Sequence, residues 1–140
     1  MKKHLLDVET SRAVYNNCKP FLQAKMCYNN VFNVVTEYIS DFRSGKYKVA
    51  YGYMSVFDSV LCRHCFIIEE DERVIDPTIF VGSMSTDIEY YSMMIFDDVD
   101  KYFEAIKSDE YYPALERYLR ERMDKAAWEW AKSNNKILIG

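Results

Sequence analysis

The sequence predicts an α+β fold in which a helical region is followed by antiparallel strands and then by carboxyl-terminal helices. The spacing of apolar residues changes from threes and fours to alternation near residue 46, and it becomes helical again near residue 97. Only four glycines and three prolines interrupt 140 residues, 16% of which are aromatic. Long elements, short loops and a core rich in rings are therefore expected. We expect a single domain over residues 1–140, because a chain of this length buries enough surface without disulfides or metals.

The amino-terminal third predicts two helices. A short one is expected over residues 7–18, with Thr10 or Ser11 as its amino-terminal cap. A longer one over residues 27–42 has apolar residues at helical spacing and therefore a broad buried face. Ser44-Gly45 is expected to end it.

The middle third predicts three strands. Residues 46–53 alternate and are rich in aromatic side chains, and residues 60–68 form a denser apolar run that suits a central strand. Residues 69–72 make an acidic tip, after which residues 73–76 return as a third strand until Pro77 stops it.

The remainder is expected to be mostly helical. The stretch from Ile79 to Ser92 is ambiguous and could be partly extended. Helices are expected over residues 97–108 and 109–134, which together form a helical portion over residues 97–134. Tyr112-Pro113 is expected at a helix start, where proline is tolerated.

Composition excludes several classes of partner. The net charge of −4 and the pI of about 5.2 argue against nucleic acid, which favours clustered basic residues. No apolar run approaches a membrane span, and acidic and polar residues interrupt any signal peptide at the amino terminus. We therefore expect a cytoplasmic protein whose four cysteines are reduced thiols. The oligomeric state is left open.

Three residues could form a nucleophilic site. Cys27 is expected where the long helix begins, and there the helix dipole and unpaired N–H groups favour a thiolate. His64, in the central strand, could take the thiol proton or stabilise the thiolate as an ion pair. Asp76, in the next strand, could orient the imidazole as the third member of a triad.

The strand register makes this arrangement testable. If Glu69-Glu70-Asp71 is the hairpin loop, Ile68 faces Glu72 and His64 lies directly opposite Asp76, within hydrogen-bonding reach. A five-residue loop is expected to preserve that register, whereas a four-residue loop would place Asp76 on the other face of the sheet.

Four segments stand out in chain order: Cys27-Tyr28-Asn29-Asn30, Val49-Ala50-Tyr51-Gly52-Tyr53, His64-Cys65-Phe66-Ile67-Ile68 and Val74-Ile75-Asp76-Pro77-Thr78. Together they resemble the transglutaminase-like core of the papain-like cysteine protease superfamily, over roughly residues 21–79. The resemblance implies a papain-like fold, with the cysteine helix packed on a small antiparallel sheet. It also implies thiol-based acyl transfer by Cys27, His64 and Asp76.

The sequence departs from the family at several positions. Cys65 stands where an aromatic residue usually follows the histidine, and Tyr28 stands where tryptophan usually follows the nucleophile. The Gly-Ser-Cys-Trp signature of papains and the Asp-Cys-Ser-Gly signature of cell-wall amidases are both missing. Gln23, four residues before Cys27, is a candidate for the oxyanion hole beside the backbone N–H of Cys27.

Taken together, the sequence predicts a cysteine peptidase or amidase that acts on a protein or peptide through a thioester and needs no cofactor. A transglutaminase-type acyltransferase, and a noncatalytic binding or regulatory module that keeps the fold, are the alternatives. The pair Cys62 and Cys65 is not expected to form a redox or zinc site, since the two side chains of one strand would point to opposite faces. Tyr90 and Tyr91 could line a substrate cleft, but core packing is the favoured interpretation.

Overall fold

A computed structural model describes residues 1–82, 85–107 and 112–139, and it has an α+β fold. Its described strands are β1 (Lys2–Leu5), β2 (Tyr47–Phe57), β3 (Val60–Glu69), β4 (Val74–Ile75), β5 (Glu89–Phe96) and β6 (Ile137–Ile139). Its described helices are α1 (Val8–Cys18), α2 (Cys27–Glu37), α3 (Ile39–Arg43), α4 (Thr78–Val81), α5 (Val99–Ile106) and α6 (Arg117–Ser133). A turn of 3₁₀ helix, Lys19–Phe21, follows α1.

The strands form one mixed sheet in the order β1-β5-β2-β3-β4, and β6 adds to β3. The long pairs are antiparallel as predicted, but β6 runs parallel to β3, so a purely antiparallel sheet is wrong at that edge. Strand β2 occupies one edge of β3. Strands β6, at Val60–Cys62, and β4, at Ile67 and Ile68, therefore share the other edge and leave residues 63–66 between them. Leu6, directly after β1, forms a single parallel bridge with Val74 of β4, so the two outer strands of the sheet come together at this point.

The cap of helix α1 lies three residues before the first of the two predicted caps, Thr10. The Asp7 carboxylate accepts hydrogen bonds from the Thr10 backbone N–H at 3.0 Å and from the Thr10 hydroxyl at 2.7 Å. Asp7 is therefore the cap, and the prediction of Thr10 or Ser11 is wrong. Because Asp7 and not Ser11 is the cap, the Ser11 hydroxyl is available to another partner, the backbone N–H of Asp76.

The predicted helix over residues 27–42 is divided at Tyr38. Helix α2 ends at Glu37, and Tyr38 leaves the helical conformation, with φ −111° and ψ 31°. Its hydroxyl accepts a hydrogen bond from the Asn17 amide at 2.7 Å, and its ring packs on Tyr47 with 6.3 Å between centroids. These tertiary contacts to α1 and β2 accompany the change of direction into α3. Gly45 follows α3, in agreement with the predicted end of the helical region.

The carboxyl-terminal part is less helical than predicted. Helix α5 confirms most of the helix expected over residues 97–108, and the Asp98 carboxylate caps it. The helix expected over residues 109–134 begins only at Arg117, so Tyr112-Pro113 does not start a helix. Residues 108–111 lie outside the described residues. The stretch from Ile79 to Ser92, for which the sequence prediction was ambiguous, contains most of α4 and the start of β5. Residues 83–84 also lie outside the described residues.

Both faces of the sheet are covered. One face packs on helices α2, α5 and α6 through large fully buried side chains such as Tyr51, Tyr102 and Leu115. The other face encloses a smaller core that includes Phe66 and Tyr90. The aromatic-rich core predicted from composition is confirmed. Within the described ranges, no helix combines the length and the apolar character that crossing a membrane requires.

Gly52 is required where β2 meets β5. It pairs with His64 of β3, and the pairing of β2 with β5 is irregular between Tyr51 and Gly52. A Cβ on Gly52 would lie 1.9 Å from the backbone oxygen of Tyr91, and a backbone atom in a sheet centre cannot move aside.

We therefore expect Gly52→Ala to lower the free energy of unfolding by about 3 kcal/mol, the upper range for overpacking a core. Gly45→Ala is the matched control. Its φ of +83° strains an alanine, but its Cβ meets nothing within 4 Å, so a loss of about 1 kcal/mol is expected. Urea unfolding followed by tryptophan fluorescence measures both, and equal losses would contradict the close approach at Gly52.

Candidate active site

Cys27 is the first residue of α2 and is half-buried, as the sequence predicts for a candidate nucleophile. The first N–H groups of a helix have no intrahelical acceptor, and the helix dipole is positive at this end. Negative charge on an oxygen held beside the Cys27 sulfur is therefore favoured here.

His64 lies in the middle of β3 and is only 4% exposed. Its Nε2 is 2.7 Å from Oδ2 of Asp76, and Cys27 lies close enough to the ring to act on its charge. An imidazole has two ring nitrogens, so Nδ1 is the atom left for Cys27. The structure thus brings together the three residues that the sequence singled out.

The hairpin between β3 and β4 turns one residue later than predicted. Glu69 N–H bonds the carbonyl of Arg73 at 2.9 Å, so the turn is Glu70–Glu72. Ile68 consequently pairs with Val74, and Asp76 continues the pairing opposite Phe66. The prediction that His64 lies directly opposite Asp76 is wrong by two residues. Both side chains stay on one face because the shift is even, and they meet diagonally.

Asp76 is completely buried and follows β4 directly. Oδ2 accepts from His64 and also from the Tyr90 hydroxyl at 2.7 Å. Oδ1 accepts from the backbone N–H of Thr78 at 3.3 Å, while the N–H of Asp76 itself donates to the Ser11 hydroxyl oxygen at 3.0 Å. The carboxylate is thus supplied with donors from three directions, which is the condition for holding a charge away from water.

The environment of His64 favours its protonated form. Burial by itself lowers the pKa of the imidazole, but the Asp76 carboxylate and the Cys27 sulfur act in the opposite direction and raise the pKa well above its ordinary value. An imidazolium between a carboxylate and a sulfur is therefore the favoured state at neutral pH.

Asn30 holds the loop before Cys27, and sequence reasoning did not assign it this role. It is fully buried one turn along α2. Its Oδ1 accepts from the Gln23 N–H at 2.9 Å, and its Nδ2 donates to the Gln23 carbonyl at 2.8 Å and to Oγ1 of Thr78 at 3.0 Å. The signal available in the sequence was an asparagine among the apolar positions of an amphipathic helix, where a buried amide needs partners.

Asn30 therefore connects the helix that carries Cys27 to the segment that carries Asp76. Gln23 is held by its backbone in the loop before Cys27, and its side chain is exposed. Its assignment to the oxyanion hole stays a prediction.

The other three cysteines lie in different surroundings. Cys18 and Cys65 are fully buried, and burial raises the pKa of both thiols. Cys62 is half-buried, with its sulfur 3.6 Å from the Arg63 carbonyl. Cys62 and Cys65 are three residues apart in β3, so their side chains project from opposite faces, as predicted. Among the described residues, no cluster of three or more His, Cys, Asp or Glu side chains could hold a metal ion.

A cleft of about 600 Å³ lies beside the start of α2. Met26 and Tyr28, the neighbours of Cys27, both line it, as do Arg63 and Tyr112. The Arg63 guanidinium forms a bidentate ion pair with the carboxylate of Asp124 in α6. The helix start is therefore next to an open, partly polar groove rather than sealed within the core.

Comparison with known proteins found no matching family model, no matching curated protein and no matching solved structure.

The pair of His64 and Asp76 should make stability depend on pH. Because the folded-state pKa of His64 is raised, the pair contributes fully below the unfolded pKa of about 6.5, and its contribution is lost as pH rises through the folded pKa. Asp76→Asn should therefore reduce the free energy of unfolding more at about pH 5.5 than at about pH 9, measured by urea titration.

Asp124→Asn is the matched control for this pH dependence. It also removes a carboxylate from an ion pair, but its partner Arg63 does not titrate in this range. Its loss should be the same at both pH values. A pH-independent loss for Asp76→Asn as well would contradict the raised pKa of His64.

Asn30→Ala should leave the backbone N–H and carbonyl of Gln23 without their partner, at a loss of about 2 kcal/mol in the free energy of unfolding. Asn29→Ala, its exposed neighbour on α2, should change the same quantity by less than about 0.5 kcal/mol. Thermal or urea unfolding of the two variants measures the difference. Similar values would show that the Asn30 bonds do not stabilise the loop.

Proposed function

We propose that this protein is a cysteine hydrolase of papain-like, transglutaminase-like fold, which cleaves an amide bond in a protein or peptide. The observation that carries the proposal is the placement of Cys27 beside His64, whose ring is hydrogen-bonded to the buried carboxylate of Asp76. A nucleophile, a base in contact with it and a third group that orients the base are the parts that covalent acyl transfer requires.

Each residue has a defined step in the proposed reaction. The Cys27 thiolate attacks the substrate carbonyl, and negative charge develops on the carbonyl oxygen beside the amino-terminal N–H groups of α2. The amine then departs with the proton of His64, which leaves a thioester on Cys27. Water attacks the thioester while His64 accepts its proton, and the acid and the free thiolate–imidazolium pair are restored.

The chain order supports the papain-like assignment of the fold. A helix that begins with the cysteine precedes the strand with the histidine, and the aspartate follows in the next segment, before Pro77 and Thr78. The cleft beside α2 is large enough to hold several residues of an extended peptide. It is lined by Met26 and Tyr28, the two residues that flank Cys27.

The proposal predicts that Cys27 is by far the most reactive thiol. With iodoacetamide near neutral pH, we expect Cys27 to be alkylated at least about tenfold faster than Cys62, which is also half-buried and serves as the internal control. His64→Ala should reduce the Cys27 rate towards that of Cys62. Peptide mass spectrometry after timed quenching measures the alkylation of all four thiols. Equally slow reaction of all four would show that Cys27 is not an activated nucleophile.

Turnover separates a hydrolase from a binding module that merely keeps a reactive thiol. An activated ester, 4-nitrophenyl acetate, should acetylate Cys27 and then regenerate the free enzyme, so that 4-nitrophenol exceeds one equivalent. Cys27→Ala should abolish the acetylated species seen by intact-mass spectrometry. Rapid alkylation without any turnover of this ester would favour the noncatalytic alternative.

A further inference from the structure

Tyr90 lies in β5, outside residues 21–79, yet it reaches the centre of the candidate site. We propose that Tyr90 is a positioning residue that shares Oδ2 of Asp76 with His64 and so limits how firmly Asp76 holds the proton on His64. This inference rests on the proposed function, because it concerns the release of that proton to a departing amine. It assigns to the carboxyl-terminal half of the chain a part in the chemistry.

The geometry of the shared oxygen supports this role. The Tyr90 hydroxyl and His64 Nε2 are each 2.7 Å from the same atom, Oδ2 of Asp76. Tyr90 is fully buried, and its ring packs against Phe66 with 5.2 Å between centroids, which fixes the direction of the hydroxyl. Burial first, and then the Asp76 carboxylate, raise the pKa of Tyr90. The hydroxyl therefore stays protonated and donates.

A second donor on one oxygen changes the strength of the first hydrogen bond. The negative charge of Oδ2 is divided between the two donors, so each bond is weaker than it would be alone. Without the hydroxyl, the charge would be directed at His64, and the imidazolium would be held more firmly. A general acid works best when its pKa is near the working pH, so a limit on this stabilisation favours catalysis.

Other groups around Asp76 and His64 are accounted for. Helix α2 brings Cys27 to the ring of His64, and β3 brings Cys65, whose thiol is kept neutral because burial raises its pKa. Helix α1 contributes the Ser11 hydroxyl and α4 the Thr78 N–H, neither of which titrates. Within the described part of the chain, Tyr90 is thus the ionisable group besides His64 that bonds Asp76 directly.

The test is the titration of His64 observed by ¹⁵N–¹H NMR of the imidazole nitrogens in the full-length protein. The chain has only two histidines, and His64→Ala identifies which signals belong to His64. We expect Tyr90→Phe to move the titration of His64 to higher pH and to leave that of His4 in place. Tyr91→Phe is the matched control, because Tyr91 is the next residue of β5 and donates to Glu89 instead, at 2.6 Å.

A structural role alone would not produce this pattern. If Tyr90→Phe only loosened the fold, unfolding measurements would show it and both histidines would respond. In an Asp76→Asn background, adding Tyr90→Phe should have no further effect on His64, because the shared charge is gone. An unchanged His64 titration in Tyr90→Phe, or the same shift in Tyr91→Phe, would overturn the inference.

The kinetic consequence is measured separately. In Tyr90→Phe, the rise of 4-nitrophenyl acetate turnover with pH should move to higher pH, because His64 must be neutral to accept the proton of the attacking water and its imidazolium would be more stable. If Cys27 of the unmodified protein reacts no faster than Cys62, the proposed function fails, while the NMR titration still decides whether Tyr90 acts on His64. An unmoved pH profile of turnover beside a fast Cys27 would count against the inference alone.

Discussion

A carboxylate removed from water is costly unless its lone pairs are satisfied, and the fold of this protein is organised around one such group, Asp76. The donors to its carboxylate come from three elements, β3 with His64, β5 with Tyr90 and α4 with Thr78, and its backbone N–H donates to Ser11 of α1. These elements must keep their relative positions for the charge to be tolerated. The same contacts that stabilise the buried charge therefore also orient the imidazole, so that structural and chemical requirements coincide at one residue.

The position of the nucleophile depends on a second buried polar group. Asn30 binds the backbone of Gln23 on one side and Thr78 on the other, which ties the start of α2 to the segment after β4. A buried asparagine needs hydrogen-bond partners, because each donor or acceptor left unsatisfied would destabilise the fold. The hydrogen bonds of the amide define both the distance and the direction between the segments that it joins, whereas apolar contacts define them only loosely.

The sheet edge also contributes to the site. Strands β4 and β6 cover the two ends of one edge of β3 and leave residues 63–66 without a strand neighbour there. His64 lies in this interval, where a helix start can come close to a strand. On the neighbouring residue, Arg63 is anchored by Asp124 of α6. The carboxyl-terminal elements β6 and α6 thus support the end of this segment at Arg63, and β4 supports the other end.

Local pattern was enough for the elements whose periodicity is strong. Helix α1, strands β2 and β3 and the start of α2 at Cys27 follow from apolar spacing, because a long amphipathic run has only one face to bury. Strands β1 and β6 were not predicted. They are short, and β1 begins with two lysines, so only their hydrogen bonds to β5 and β3 make them strands. The break at Tyr38 and the late start of α6 likewise depend on packing rather than on propensity.

The sequence by itself determined that Cys27 begins a helix, that His64 lies within a strand and that Asp76 follows the next one. Because side chains alternate along a strand, an even register was sufficient to keep His64 and Asp76 on one face, even though the predicted pairing was shifted by two residues. Tertiary structure alone decided that Asn30 and Tyr90 complete the site. Their partners are distant in sequence, and no local pattern encodes which buried hydroxyl or amide will meet a given carboxylate or backbone group.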